Sequence, residues 1–188
     1  MTSNYFEILR GGINTTFQDK GRENLYHIGI PFSGVMDNRN FLLANKLVGN
    51  HLTAPVIEFA YQGPHLRYIG DQLNFVITGD VIFKIKKKDN EIDGACYQSY
   101  HLENGDEIDI ISTNKSVYGY FAIGSEIDLN FQWNSCSINT KANIGSNNED
   151  PKGKLDLASN RVFYKVPKIR GKNVFKTAVT EHLSLIHI

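Results

Sequence analysis

Gly11–Gly63 reads GGINTTFQDKGRENLYHIGIPFSGVMDNRNFLLANKLVGNHLTAPVIEFAYQG. Gly11, Gly12, Gly21, Gly29, Pro31, Gly34, Gly49, Pro55 and Gly63 punctuate it, and between them lies the one convincing amphipathic helix of the chain. The spacing predicts that helix from Asp37 to about Val48. Asp37 suits an N-cap, because its carboxylate can accept from first-turn N–H groups and meets the positive end of the dipole. Phe41, Ala44, Leu47 and Val48 recur at helical spacing, and Leu42 and Leu43 widen the stripe. Lys46 stands near the C-terminal end and Gly49 supplies a left-handed stop. About three turns of helix are marginal alone, so this one is expected to lay its apolar face on a sheet.

Outward from the helix, the pattern becomes extended. Tyr5 to Leu9 reads as a first strand, broken by Gly11-Gly12, and Thr15 to Gln18 as a short second one. Leu25 to Phe32 mixes apolar and β-branched residues and reads as an extended approach to the helix, with His27 in it as a packed, hydrogen-bonded residue. Val56 to Phe59 is a strand interrupted by Glu58. Alternation would turn Glu58 to a wetter face; the other reading makes it a carboxylate that holds Arg22 or a substrate group.

After Gly63-Pro64 short strands follow in close order. They are Leu66 to Ile69, Leu73 to Thr78, Val81 to Lys86, Tyr97 to Leu102, Glu107 to Ile111 and Val117 to Ile123, separated by turn signals such as Gly70-Asp71, Lys88-Asp89-Asn90 and Asn104-Gly105-Asp106. This rhythm argues for an antiparallel barrel or sandwich rather than βαβ units. The basic run at Lys84, Lys86, Lys87 and Lys88, followed by Asp89, Glu91 and Asp93, reads as a solvated hairpin tip. Ile144 to Lys154 reads as a linker, with further strands expected at Val162 to Val166 and Val174 to Val179.

The composition bounds the function. The 188 residues are 41% hydrophobic and 21% charged with formal net charge +0, which argues against nucleic acid or an anionic membrane as the main partner. No apolar run approaches a membrane span, and the N-terminus does not read as a signal peptide, so a cytoplasmic protein is expected. Cys96 and Cys136 fit no metal or disulfide spacing and read as buried thiols. Cys136 does not read as a nucleophile. No triad, P-loop, dinucleotide fingerprint or metal motif is present, so composition and spacing prescribe no reaction and no metal.

Polar residues gather around the glycines ahead of the helix. In Thr16-Phe17-Gln18-Asp19-Lys20-Gly21-Arg22, one reading is a turn held by side chain–backbone bonds with Arg22 paired to Asp19 or Asp37. The other is a polar floor for a small anionic or amide-bearing substrate, with Arg22 offering a bidentate guanidinium. The substrate-binding candidates are Gln18, Asp19, Arg22, Ser33, Asp37 and Glu58. Asn45 and Asn50 stand at the helix, beside the second loop with Met36.

Four motifs in order carry a resemblance. Thr16-x-Gln18-Asp19-x-Gly21-Arg22, Gly29-x-Pro31-x-Ser33-Gly34-x-Met36-Asp37, Ala44-Asn45-x-Leu47-Val48-Gly49-Asn50, and Glu58 with Gly63-Pro64 resemble the KipA-like biotin-dependent carboxyltransferase family. Its members are also known as the C component of 5-oxoprolinase or the second component of allophanate hydrolase. The match is specific from about Tyr5 to Gly79 and weaker to about Gly145. At Asn134-Ser135-Cys136-Ser137 the family's Gly-Ser-Arg-Ser-Thr-like segment lacks its arginine, which speaks against anion binding by that loop.

The resemblance implies a mainly β fold with one short helix, a cyclophilin-like antiparallel β-barrel over 1–145, and a linker with a partial or divergent second region over 146–188. Family members are usually longer, so a truncated member is expected. The resemblance also implies the role of the C component in ATP-dependent opening of 5-oxoproline to glutamate. The KipI-like B component and a protein like the A component would be the partners, and ATP would be used by the complex. The alternatives it implies are a carboxyltransferase acting on urea or a related amide, with biotin on a separate carrier, and a non-catalytic regulatory partner of a KipI-like protein.

Overall fold

The computed structural model describes residues 4–127, 129–137 and 168–170. Its centre is two antiparallel sheets facing one another. The first takes β1 (Asn4–Arg10), β4 (His65–Ile69), β6 (Val81–Lys87), β7 (Asn90–Asp93), β9 (Glu107–Thr113), β11 (Glu126–Ile127) and β12 (Lys168–Arg170) in the order β11-β12-β1-β4-β9-β6-β7. The second takes β2 (Thr16–Gln18), β3 (Val56–Ala60), β5 (Leu73–Thr78), β8 (Ser99–Leu102) and β10 (Tyr118–Ile123) in the order β2-β3-β10-β5-β8. Phe6, Phe17, Phe59, Phe75, Phe83 and Phe121 interlock between the sheets, with Leu66, Ile108 and Ile110 filling the gaps. Tilted and edge-on ring pairs such as Phe6–Phe121 and Phe75–Phe83 run through this layer.

The mainly antiparallel fold with one helix is as the sequence reads. The barrel is not closed: the strands divide into two sheets. Their edges suit termination, since β2 has only three residues and β7 is exposed along its length with Glu91 and Asp93 on it. Helix α1 (Asn38–Val48) makes a third layer on the outer face of the five-stranded sheet. Phe41, Ala44 and Val48 pack there against Val56, Val76, Tyr120 and Ala122. Asp37 caps the helix by accepting from Asn40 N, and Gly49 ends it at φ 84°. Leu47, expected on the apolar stripe, is 42% exposed instead, because the stripe is narrower than the spacing suggests.

Three local expectations are corrected. Leu25 to Phe32 is not extended. Asn24 and Gly29 take left-handed φ, Tyr26–Ile28 forms a 3-10 turn between them, and Ile28 N and Ile30 N both return to Leu25 O. His27 is accordingly exposed rather than packed. Asn90–Asp93, expected as turn residues, forms β7, and Lys84 reaches Glu91 across that hairpin. Cys136 is buried, whereas Cys96 is only half-buried. The strands expected at Val162 to Val166 and Val174 to Val179 lie outside the described residues. No helix among the described residues is long and apolar enough to cross a membrane.

The outer face of the larger sheet is a charge ladder. Glu7, Arg67 and Glu107 stand opposite one another, and Arg67 bridges both acids while His65 Nε2 lies 2.8 Å from Glu107. Partial burial pushes the Glu107 carboxyl up, but hydrogen bonds from Arg67 and His65 outweigh it and hold the group below its ordinary value. An acid lowered in the folded state stabilises the fold above its unfolded pKa, and that contribution is lost as pH falls through the folded value. Glu107→Gln is therefore expected to flatten the acid limb of a melting temperature–pH curve below about pH 4.5. A limb as steep as that of the parent protein would contradict this account.

Candidate functional site

A polar row crosses the helix-covered face of the smaller sheet. Thr78 pairs with Tyr120, Tyr120 with Glu58, and Glu58 with Thr16, so the four side chains share one face; Gln18 follows two residues along β2. Alternation does carry Glu58 away from the Phe59 side, but that face is not wet. The loop from Ser33 to Asp37 closes over it, and Glu58 is buried. Its Oε2 accepts from Met36 N at 2.8 Å and from the Tyr120 hydroxyl at 2.8 Å, while the Tyr120 oxygen accepts from Asp37 N at 2.7 Å. Burial pushes the Glu58 carboxyl up, and these bonds restore part of the shift. Burial, and then the neighbouring Glu58, also raise the Tyr120 phenol. Glu58 thus grips the entrance of the helix, and it does not hold Arg22.

Asn45 and Asn50 serve the other end of the helix. Asn45 Nδ2 donates to Ala54 O, and Asn50 Nδ2 donates to Ile123 O. Asp37 is occupied as the helix cap, also accepting from Asn40 Nδ2 at 2.7 Å.

Asp19 ties three loops together. Its Oδ1 accepts from Gly21 N, Ser135 Oγ and Ser137 Oγ at 2.8, 2.6 and 2.7 Å, and its Oδ2 accepts from Cys136 N at 2.7 Å. Its carbonyl accepts from Val35 N, and Arg22 N donates to Phe32 O, so the 19–22 and 32–35 segments lie zipped backbone to backbone. Gly21 and Gly34 permit this contact. Both sit at φ +90°, and a Cβ on either would strike the facing carbonyl of Phe32 or Lys20 at 2.7 or 2.8 Å.

The Arg22 guanidinium is buried under the 131–137 segment and pairs with neither Asp19 nor Asp37. Nε donates to Gln132 O at 3.1 Å and Nη2 to Ser135 O at 3.3 Å. Burial lowers its pKa, opposed by the charge of Asp19. Burial and then Asp19 raise the Cys136 thiol well above its ordinary value, which keeps it an inert packing group.

Among the described residues, three candidates keep a shielded polar atom without a partner: Gln18 Oε1, Arg22 Nη1 and Ser33 Oγ. Ser33 also stands at φ 55°. A cleft of about 310 Å³ is lined by Asp19, Lys20, Gly21, Glu23, Thr53, Trp133 and Asn134; Gln18, Arg22 and Ser33 do not line it. Lys20 is paired with Glu23 at the rim of this cleft, with both side chains more than half exposed.

The structure therefore brings Gln18, Asp19, Arg22 and Ser33 together on zipped loops and places Asp37 and Glu58 at the helix entrance. Sequence reading missed Tyr120, Gln132, Ser135 and Ser137. The available signal was the Ser-Cys-Ser alternation, which sends both hydroxyls to one side.

Comparison with known proteins places these features in a family. The pattern described as carboxyltransferase domain, subdomain A and B, matches residues 28–165. A urea amidolyase of Lachancea kluyveri is 32% identical over 144 residues, 76% of this chain and 8% of that protein. The C component of the 5-oxoprolinase of Haemophilus influenzae is 30% identical over 139 residues, 74% of this chain and 44% of that protein. The chain thus spans less than half the length of either relative. Among solved structures, the Kluyveromyces lactis urea carboxylase superposes with a TM-score of 0.76 at 26% identity, covering 90% of this chain and 14% of that one.

Proposed function

The chain belongs to the family of carboxyltransferase domains, subdomain A and B, and on that premise we propose that it serves as the C component of an ATP-dependent 5-oxoprolinase, where it binds the lactam. The carrying observation is the set of unpartnered atoms on the zipped loops: one donor at Arg22 Nη1, one acceptor at Gln18 Oε1 and one hydroxyl at Ser33. A buried polar group without a partner is costly, and a donor, an acceptor and a hydroxyl are the kinds of group that an amide's C=O and N–H can satisfy. ATP is used by the assembled complex, and the chain acts in the cytoplasm with the KipI-like B component and a protein like the A component. Orienting hydrogen bonds to the amide are this chain's contribution to ring opening.

A second reading is carboxyl transfer to urea, with biotin delivered on a separate carrier. The likeness to urea amidolyase and urea carboxylase favours it. Co-purification with the two partner proteins, followed by parallel assays, separates the readings. ATP-dependent release of glutamate from 5-oxoproline supports the first. Transfer from carboxybiotin to urea alone moves the assignment to the second. A stable complex with a KipI-like protein and neither turnover leaves a regulatory module.

Gln18→Leu offers a sharper check. It removes the unpartnered oxygen together with the donor that reaches Thr16 Oγ1 at 3.1 Å. Loss of one hydrogen bond to substrate is expected to lower kcat/KM about ten-fold, while the melting temperature falls by no more than the loss of the single Thr16 bond accounts for, about 1 kcal/mol. Unchanged turnover, or a stability loss well beyond that one bond, would make Gln18 a structural residue.

A further inference from the structure

The cleft has one wall that the fold goes to some length to hold. Gln132 and Ser135 exchange N–H···O bonds in both directions, closing a two-residue hairpin turn at Trp133-Asn134. Trp133 sits at φ 51° and Asn134 at φ 60°, so both central residues are left-handed, as a mirror-image turn requires. Asparagine accepts that conformation readily, but a bulky indole does not, and it persists only where surrounding contacts over-determine it. Those contacts are present. Arg22 clamps the carbonyls of Gln132 and Ser135, the first and last residues of the turn, and Asp19 holds Ser135, Cys136 and Ser137 immediately behind it. The indole is nonetheless 48% exposed and lines the cleft. It is braced from below and open to the cleft.

We propose that Trp133 is a ligand-stacking surface of this cleft, that Arg22 is the positioning residue that fixes it, and that the ligand is a flat cyclic amide or cyclic urea. The class follows from the lining. An aromatic face takes a flat ring. The charges of the lining are matched: Asp19 lies near the Arg22 guanidinium and Glu23 is paired with Lys20. Asn134 offers the amide group that an N–C=O unit needs, and Thr53 lies beside it with its hydroxyl 2.9 Å from His51 Nδ1. A volume near 310 Å³ is that of a small-molecule site. The ligand class rests on the lactam reading above; the stacking wall does not.

The chain has one tryptophan, so emission excited beyond the tyrosine absorption band reports on this residue alone. The full chain is titrated with 2-pyrrolidone, with propionamide as an amide lacking the ring and cyclopentanol as a ring lacking the amide. A saturable change in emission is expected, with 2-pyrrolidone half-saturating at about three- to ten-fold lower concentration than either control, the factor that stacking contributes. Equal responses to all three would overturn the proposal. Trp133→Gly suits the left-handed position and keeps the turn; ligand-observed NMR is expected to show pyrrolidone binding lost in that variant, and retained binding overturns the stacking role. Arg22→Lys keeps the charge but loses the two-carbonyl clamp. Faster indole anisotropy decay with an unchanged circular dichroism spectrum supports the positioning role, and unchanged decay overturns it. Pyrrolidone binding without turnover by the complex would remove the oxoprolinase reading and leave the site. Turnover without any indole response would do the reverse.

Discussion

Asp19→Ala is expected to destabilise the protein more than any other single change at the site. Four hydrogen bonds converge on this carboxylate, which is 5% exposed. Removing it strands the hydroxyls of Ser135 and Ser137 and the N–H groups of Gly21 and Cys136, most of them in buried surroundings. It also takes a compensating negative charge from beside the Arg22 guanidinium. Hydrogen bonds to a charged acceptor contribute about 1.5–3 kcal/mol each and do not add fully, so a loss of about 4 kcal/mol is expected in urea unfolding. That is a large share of the stability of a single domain. Asp19→Asn should recover part of it, because one amide oxygen still accepts while the new NH2 faces donors. The variant should also release Trp133, whose hairpin hangs on the same carboxylate, and its emission should shift toward that of a solvated indole. A loss below about 1 kcal/mol, the scale of one neutral hydrogen bond, would mean that Asp19 does not tie the loops.

This role bears on how far the chain can be read before folding. The helix is legible to the residue at both ends, because capping by Asp37 and a left-handed Gly49 are local chemistry. The strands are legible because each carries alternation and is bounded by turn residues. Closure is not legible, since whether two edges meet depends on sheet twist and on short strands such as β2, which no local pattern reports. The 3-10 turn at Tyr26–Ile28 escapes because its apolar residues suggest a buried strand, whereas Tyr26 is 73% exposed. At the site, Thr16, Gln18, Asp19 and Arg22 stand out in the sequence as one polar loop and Ser33, Met36 and Asp37 as a second, and the structure zips 19–22 against 32–35. Their partners are not predictable from spacing. Ser135 and Ser137 reach Asp19 across 116 and 118 residues of chain. The Ser-Cys-Ser segment reads as inactive because it lacks the family's arginine; in the structure Arg22 supplies a guanidinium from another loop and binds carbonyls there.

Glu58→Ala is the second large effect, and its pH dependence identifies the cause. The carboxylate secures Met36 N directly and Asp37 N through the Tyr120 hydroxyl, so it fixes the backbone that leads into the helix. Truncation leaves Met36 N–H and the Tyr120 hydroxyl short of a partner; a loss of about 2–4 kcal/mol is expected, with faster hydrogen exchange at Met36 and Asp37 before any global unfolding. Burial sets the sign with pH. A carboxyl raised in the folded state is bound to its proton more tightly there than in the unfolded chain, so its contribution is fully present below the unfolded pKa and is lost as pH rises through the folded value. Glu58→Gln keeps an acceptor for both bonds but cannot ionise. The parent protein should therefore lose stability relative to Glu58→Gln as pH climbs from about 4 toward neutrality, the opposite of the Glu107 slope. Tyr120→Phe combined with Glu58→Ala should cost less than the sum of the two, because the phenol and carboxylate share one bond. Parallel pH slopes for the parent and Glu58→Gln, together with fully additive losses, would show that the helix entrance is held by packing of Phe41 and Val48 and not by this dyad.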